Sequence, residues 1–139
     1  MIILTKTIHV KTKGESELID ITEDVTNWIT SSKIKEGIVT IFVVGSTAAI
    51  TTIEYEPGLL KDFPRMLARL APSDIEYEHQ RMWHDNNGHS HVRASLVGPS
   101  LTVPIHDGMF TLGTWQQLVL VEMDIRGRDR EIILQIMGQ

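Results

Sequence analysis

GIVTIFVVGSTAAITTIE, residues 37–54, is the most strongly patterned stretch of the sequence. Gly37 to Val44 is apolar and rich in β-branched residues, which predicts a buried strand. Gly45-Ser46-Thr47 interrupts this run, and Ala48 to Glu54 continues it with small and β-branched residues. We therefore expect a β-hairpin in which the two segments pair across the glycine-containing turn.

On either side of this stretch, two segments have helical periodicity. Thr22 is expected to cap the first helix, because its hydroxyl precedes two acids and an apolar stripe. The apolar stripe from Leu59 to Leu70 predicts the second helix, with Pro64 near its start or at a kink. Residues 72–90 have little periodicity and predict a long loop. The remaining patterned segments predict strands at 1–10, 17–21, 91–97, 101–105, 110–112, 118–125 and 131–137.

This order of elements predicts an α+β fold, with a β-sandwich-like core of mostly antiparallel strands and two flanking helices. A length of 139 residues is typical of one domain, spanning residues 1–139. The net charge of −5 argues against nucleic-acid or anionic-membrane partners. The chain has no cysteine, which excludes thiolate chemistry, and no apolar run long enough for a membrane span. We expect a cytoplasmic protein.

The segment HDNNGHSHVR, residues 84–93, holds three of the six histidines. On the strand predicted to follow it, alternation would place His89, His91 and Arg93 on one face. The opposite face would carry Val92, Ala94 and Leu96 into the core.

Imidazole is a common ligand for zinc, so this segment predicts a metal site at His84, His89 and His91. Arg93 is expected to stabilise anionic charge beside the metal. The alternative is an edge strand whose histidines are solvated or cap backbone groups. The other three histidines, His9, His79 and His106, are interpreted as surface or turn residues.

Two further segments are candidates for ligand contacts. The hydroxyls of residues 45–52 can bind an oxyanion, and a buried Glu54 would have a raised pKa suited to a general base. The alternative is a threonine-rich hairpin that ends in a solvated glutamate. In Leu112-Gly113-Thr114-Trp115-Gln116, the amide of Gln116 can orient a ligand, although the motif is also typical of a strand entry. Asn86 and Thr114 complete the predicted ligand-binding set.

Three blocks near the C-terminal half resemble the signature of the YjbQ-like family. They are Ser100 to Ile105, Asp107-Gly108 and Leu112 to Gln116. Gly88 to Leu96 is similar to the family's central histidine-bearing strand, and Thr47 to Ile50 followed by Glu54 is similar to its upstream motif. Members of the family are often labelled secondary thiamine-phosphate synthase.

The resemblance implies a compact α+β domain that forms a homotrimer with pockets near subunit boundaries. It also implies a divalent metal, zinc in the first place, with His84 and His91 as leading ligands. Thr47, Glu54 and Gln116 would line the pocket. Many relatives have a histidine where this chain has Ser46; His89 is the obvious replacement ligand, and the alternative is that water or a ligand phosphate fills the gap.

Three functions follow from these features. The family label implies joining phosphorylated pyrimidine and thiazole precursors, with the metal and Arg93 stabilising pyrophosphate. That reaction usually uses magnesium on carboxylates. The histidines favour a second function, zinc-dependent hydrolysis of a small phosphorylated or ester substrate, with Glu54 relaying a proton. The third is a non-catalytic trimer that binds a metal or metabolite.

Overall fold

A computed structural model describes all 139 residues and contains eight strands and four helices. The strands are β1 (Ile2–Lys11), β2 (Leu18–Asp20), β3 (Gly37–Val44), β4 (Ala48–Ile53), β5 (Ser100–His106), β6 (Met109–Phe110), β7 (Gln117–Glu122) and β8 (Asp129–Gly138). The helices are α1 (Thr22–Ser32), α2 (Leu59–Leu70), α3 (Glu78–Trp83) and α4 (Gly88–Val97).

The strands form two antiparallel sheets, which confirms the predicted α+β class. The larger sheet has the order β1-β8-β3-β5-β6, and the smaller sheet has the order β2-β7-β4. The main core lies between the two sheets and α1, where it contains Val39, Ile41, Leu120 and Leu134. The opposite face of the smaller sheet packs against α2 and α4 through a second apolar cluster. The smaller sheet is therefore covered on both faces.

The predicted hairpin between β3 and β4 is wrong. β3 pairs with β5 and β8 in the larger sheet, whereas β4 pairs with β7 in the smaller one. Residues 45–47 carry the chain from one sheet to the other. Apolar runs indicate burial but do not specify a partner, and these two strands meet face to face across the core.

Two neighbouring carbonyls after α4 hold the two sheets together at this crossing. Gly98 O accepts a hydrogen bond from Ile50 N–H of β4 at 3.1 Å. Pro99 O accepts one from Val43 N–H of β3 at 2.9 Å. The end of α4 is therefore fixed to both layers.

The strand predicted at residues 91–97 is also wrong, because this segment belongs to α4. His89 and Arg93, four residues apart, are buried on one side of the helix. Val92 and Leu96, which the strand pattern placed in the core, are 47% and 61% exposed. Over so few residues, the same order of polar and apolar side chains fits both the period of a strand and the period of a helix.

The predicted loop at 72–90 contains α3 and the start of α4. Gly88 begins α4 where a Cβ would lie 2.5 Å from Tyr77 Cβ, so only glycine permits this close approach. At α1, Ile21 rather than Thr22 occupies the cap position, and the Thr22 hydroxyl accepts from Leu118 N–H at 2.8 Å. The longest helix, α2, has 12 residues, and no helix has the length and apolar character needed to cross a bilayer.

Candidate functional site

The turn between α3 and α4 brings two histidines together. His79 lies on α3 and His91 on α4, and their ring centroids are 4.4 Å apart. The reversal between the helices uses positive φ angles at His84 (57°) and Asn86 (59°). The helix pair therefore places the His79 and His91 rings next to each other, with their planes tilted by 55°.

Asn87 lies between two carboxylates in this turn. One end of its amide is 3.0 Å from His79 Nε2, 2.9 Å from Asp85 Oδ1 and 3.2 Å from Asp85 Oδ2. The other end is 3.3 Å from Asp124 Oδ1. With its nitrogen at the Asp85 end, the Asn87 amide donates to both Asp85 oxygens and to His79 Nε2, and both ends of the amide are satisfied.

The Nε2 atom of His79 carries at most one proton that it can donate to the side chains of Asp85 and Asn87. This nitrogen lies 3.1 Å from Asp85 Oδ1 as well as 3.0 Å from the Asn87 amide. His79, Asp85 and Asn87 therefore meet at one point, and carboxylate and neutral imidazole are both groups that can bind a metal.

His91 is a neutral ring at the edge of this cluster. Burial lowers its pKa below the ordinary value, and the charge of His79 lowers it further, against smaller opposing effects of Asp85 and Asp124. Its lone pair is therefore available near neutral pH. His91 also lines a cavity of about 200 Å³, together with Gly45 and Ser46 from the crossing between the sheets.

Asp124, two residues after the end of β7, contacts the cluster through Asn87. Burial alone would raise the pKa of this carboxyl, but hydrogen bonds from Arg128, Ile125 N–H, Asn87 and Thr47 hold it below the ordinary value. Arg128 Nη2 is 2.7 Å and Thr47 Oγ1 3.1 Å from Asp124 Oδ2. The predicted ligand-binding residue Thr47 therefore contacts the cluster through Asp124.

A second buried ion pair lies beside Asp124. Glu122 is fully buried and accepts from Arg130 Nε at 2.9 Å, from Thr12 Oγ1 at 2.6 Å and from Asp124 N–H at 3.0 Å. Arg130 also donates to the backbone and hydroxyl oxygens of Thr47. These contacts fix the crossing residue Thr47 against the end of β7.

The other predicted members of the histidine segment lie apart from this cluster. His89 is buried, with Nε2 2.8 Å from Glu15 Oε1. Arg93 donates to the same Glu15 oxygen at 2.8 Å and to Ala71 O at 2.9 Å. His84 is exposed at the end of α3, and Asn86, also exposed, accepts from Gln80 Nε2 at 3.2 Å. The structure does not bring His84, His89 and His91 together as one set.

Glu54, Thr114 and Gln116 form a separate group at the far end of β4. Glu54 is exposed just after β4, and Gln116 Nε2 donates to Thr52 Oγ1 at 3.2 Å. Because β4 has six residues, at about 3.3 Å each, this group lies on the order of 20 Å from the crossing residues. Thr114 and Gln116 border another cavity, of about 360 Å³, beside α1.

One exposed set does bring three ligand atoms within 4.8 Å of one another: Glu36, His106 and Asp107. Its internal contacts account for its geometry, because Glu36 accepts from Asp107 N–H and pairs with the His106 ring. The hydrogen bond with Glu36 raises the pKa of His106, and the same bond lowers the pKa of Glu36. We do not take this set as the candidate site.

Sequence reasoning missed His79, Asp85, Asn87 and Asp124. His79 is interpreted from the sequence as an ordinary surface residue because it stands alone, outside the histidine-rich segment. The signal that could have found it is Asn86-Asn87-Gly88, since asparagine and glycine favour a helix start just before the histidine-rich run. Predicting a helix there would have indicated that the preceding segment, which carries His79, packs next to it.

The two sheets and the histidine-bearing helix pair beside the smaller sheet define an α+β protein with a histidine-lined pocket. The family model described as UPF0047 protein YjbQ-like matches residues 6–139. The chain belongs to this family, as the sequence resemblance predicted.

Relatives and solved structures agree with this assignment. A UPF0047 protein of Methanothermobacter thermautotrophicus is 40% identical over 139 residues, covering 100% of this chain and 95% of the relative. One from Archaeoglobus fulgidus is 34% identical, over 92% of this chain and 97% of its own. The crystal structure of a YbjQ-like protein of unknown function from Sulfolobus solfataricus is 32% identical, with a TM-score of 0.89 and 99% of each chain covered. A hypothetical protein from Aeropyrum pernix is 30% identical with a TM-score of 0.91, over 98% of this chain and 99% of that one.

Proposed function

We propose that this chain binds a divalent metal ion, zinc in the first place, through His79, Asp85, Asn87 and His91. The observation that supports the proposal is the convergence of His79 Nε2, Asp85 Oδ1 and the Asn87 amide within 3.1 Å of one another, with the His91 ring beside His79. The neutral state of His91, favoured by its lowered pKa, suits a metal ligand.

We further propose that the metal supports hydrolysis of a small substrate. A bound zinc ion would supply Lewis-acid activation of water near neutral pH. The chain's own residues contribute the cavity of about 200 Å³ that His91 lines, which leaves space for a small molecule next to the cluster. Asp124 holds Asn87 in place, and its lowered pKa keeps it ionised.

The contacts give less support to thiamine-phosphate synthesis. That function needs a cation for departing pyrophosphate, and Arg93 was predicted to provide it. Arg93 is instead buried and bound to Glu15 and Ala71 O. Glu54, the expected proton relay, lies at the far end of β4 from His91 within one chain.

A homotrimer would give the predicted site residues a way to meet. Glu54, Thr114 and Gln116 can adjoin the histidine cluster only if they come from another copy. Part of the outer face of the larger sheet, around exposed Ile38 and Phe42 on β3, offers an uncharged surface for such contacts. Phe42 lies opposite Ile133 and Ser100 in the neighbouring strands, neither of which is charged.

Sedimentation velocity tests the trimer. We expect a species of three chains, each of 15.7 kDa, that Phe42→Glu converts to monomer. Leu70→Glu is the matched control, because Leu70 is an exposed apolar residue on α2, away from this sheet. A wild-type monomer would contradict the proposal.

Zinc titration of chelator-treated protein tests the metal site. We expect one zinc ion per chain, bound at least tenfold more weakly by His79→Ala and by Asp85→Asn. His9→Ala and His84→Ala are matched controls, since both histidines are exposed and lie outside the proposed set. Loss of binding in His84→Ala with full binding in His79→Ala would overturn this ligand set.

Activity is measured separately on phosphate monoesters and carboxylic esters, with zinc-loaded and metal-free protein. We expect turnover only in the loaded form. Stoichiometric zinc binding without turnover on any ester would leave the metal site standing and overturn the hydrolase.

A further inference from the structure

Arg130 has an unused group of donors. The side chain is 7% exposed, and its Nε and Nη2 atoms donate to Glu122 and Thr47. Nη1 donates no hydrogen bond within the chain, although a guanidinium carries two N–H groups on that atom. Nη1 is not among the buried atoms that lack a partner, so its two N–H groups are accessible from outside the protein.

Gly45 leaves Nη1 uncovered. A Cβ at this position would lie 2.7 Å from Arg130 Nη1, so any side chain would collide with the guanidinium. The φ of 137° at Gly45 also disfavours other residues. Gly45 lines the same cavity as His91, and Nη1 lies next to Gly45 on the side where a Cβ would project.

The adjoining backbone has donors to spare. None of the N–H groups of Gly45, Ser46 and Thr47 donates a hydrogen bond to another atom of the chain. The Ser46 hydroxyl, which lines the same cavity, is also without a partner in the chain. Successive free backbone N–H groups next to a guanidinium are typical of sites for phosphate and other oxyanions.

We infer that Gly45, Ser46, Thr47 and Arg130 Nη1 bind the phosphate group of a small ligand. The guanidinium supplies charge-assisted donors, and the backbone N–H groups add direction. Because His91 lines the same cavity, the substrate of the proposed metal centre would be a small phosphate ester. This last step rests on the proposed function, whereas the anion site itself does not need the metal.

The test uses metal-free, full-length protein labelled with 15N, titrated with inorganic phosphate in a phosphate-free buffer. We expect saturable shifts of the amide signals of Gly45, Ser46 and Thr47. Ser46→Asp, an exposed position, puts a negative charge at the site and should weaken binding at least tenfold. Asn27→Asp adds the same charge on an exposed residue of α1 and should leave the affinity unchanged.

Arg130→Lys gives a second, independent measurement. Lysine keeps a positive charge for Glu122 but lacks the second nitrogen group, so phosphate affinity should fall by tenfold or more in a protein that still folds. Ser46→Asp keeps the test decisive if Arg130→Lys does not fold. No saturable shift in the wild type, or equal affinity in Ser46→Asp, would overturn the inference. The zinc titration is read independently, so either proposal can fail alone.

Discussion

Substituting Glu122→Gln should destabilise this protein strongly. The carboxylate is fully buried and accepts hydrogen bonds from Arg130, Thr12 and Asp124 N–H. Glutamine keeps the shape but removes the charge, which leaves the buried guanidinium of Arg130 without its counter-ion. Breaking one side of a buried ion pair costs about 3–5 kcal/mol.

The magnitude converts to a melting temperature. An unfolding entropy of about 2.1 cal/mol/K per residue gives this chain roughly 0.3 kcal/mol/K, so the expected fall is about 10–17 °C. Calorimetry at pH 7 with metal-free protein measures it. Asp129→Asn is the matched control, because the Asp129 side chain is 61% exposed and its removal should change the melting temperature little.

A double substitution separates charge from packing. Glu122→Gln combined with Arg130→Met removes the unpaired charge and should recover a large part of the lost stability. A loss below about 3 °C for Glu122→Gln alone, on the scale of a surface change, would refute the view that this pair is a desolvated unit.

Three further predictions concern single positions. Ser46→His should raise zinc affinity about tenfold or more in a direct titration, because it adds an imidazole to the cavity that His91 lines; unchanged affinity would contradict the assignment. The pKa of His106 is raised by its hydrogen bond with Glu36, so an NMR titration should place it above 6.5, and Glu36→Gln should return it to the ordinary value. The same contact lowers the pKa of Glu36. The pair therefore stabilises the fold at pH values between the folded pKa of Glu36 and the folded pKa of His106. Its contribution is lost as the pH rises through the folded pKa of His106 or falls through that of Glu36. Gly88→Ala should cost about 1–3 kcal/mol in denaturant unfolding, because the new methyl would overlap Tyr77; a neutral result would count against that packing.

Elements with a long, one-sided pattern were predictable from the sequence. Helix α2 matches the stripe from Leu59 to Leu70, and β8 matches the predicted strand at 131–137 to within two residues at either end. Strand partners were not predictable in the same way. β4 is apolar because both faces of the smaller sheet are covered, and that pattern contains no information on which strand lies alongside.

The candidate site was predictable in composition but not in geometry. The histidine-rich segment led to His91, yet His91 was placed on a strand, where alternation grouped it with His89 and Arg93. On a helix those two residues share a face that packs against Glu15, and His91 turns towards His79 instead. His79 and Asp124 lie 12 and 33 residues from His91 in the sequence, a separation that local pattern reasoning does not bridge.

The neighbouring carbonyls of Gly98 and Pro99 should couple the amide hydrogen exchange of the two sheets. The amide protons of Ile50 and Val43 bond to adjacent residues, so freeing either sheet from this point requires the end of α4 to move. Both amides should then show the same free energy of opening in hydrogen exchange, set by a shared opening. The helix that carries His91 would be part of that same cooperative unit, and the pocket would persist for as long as the two layers stay joined.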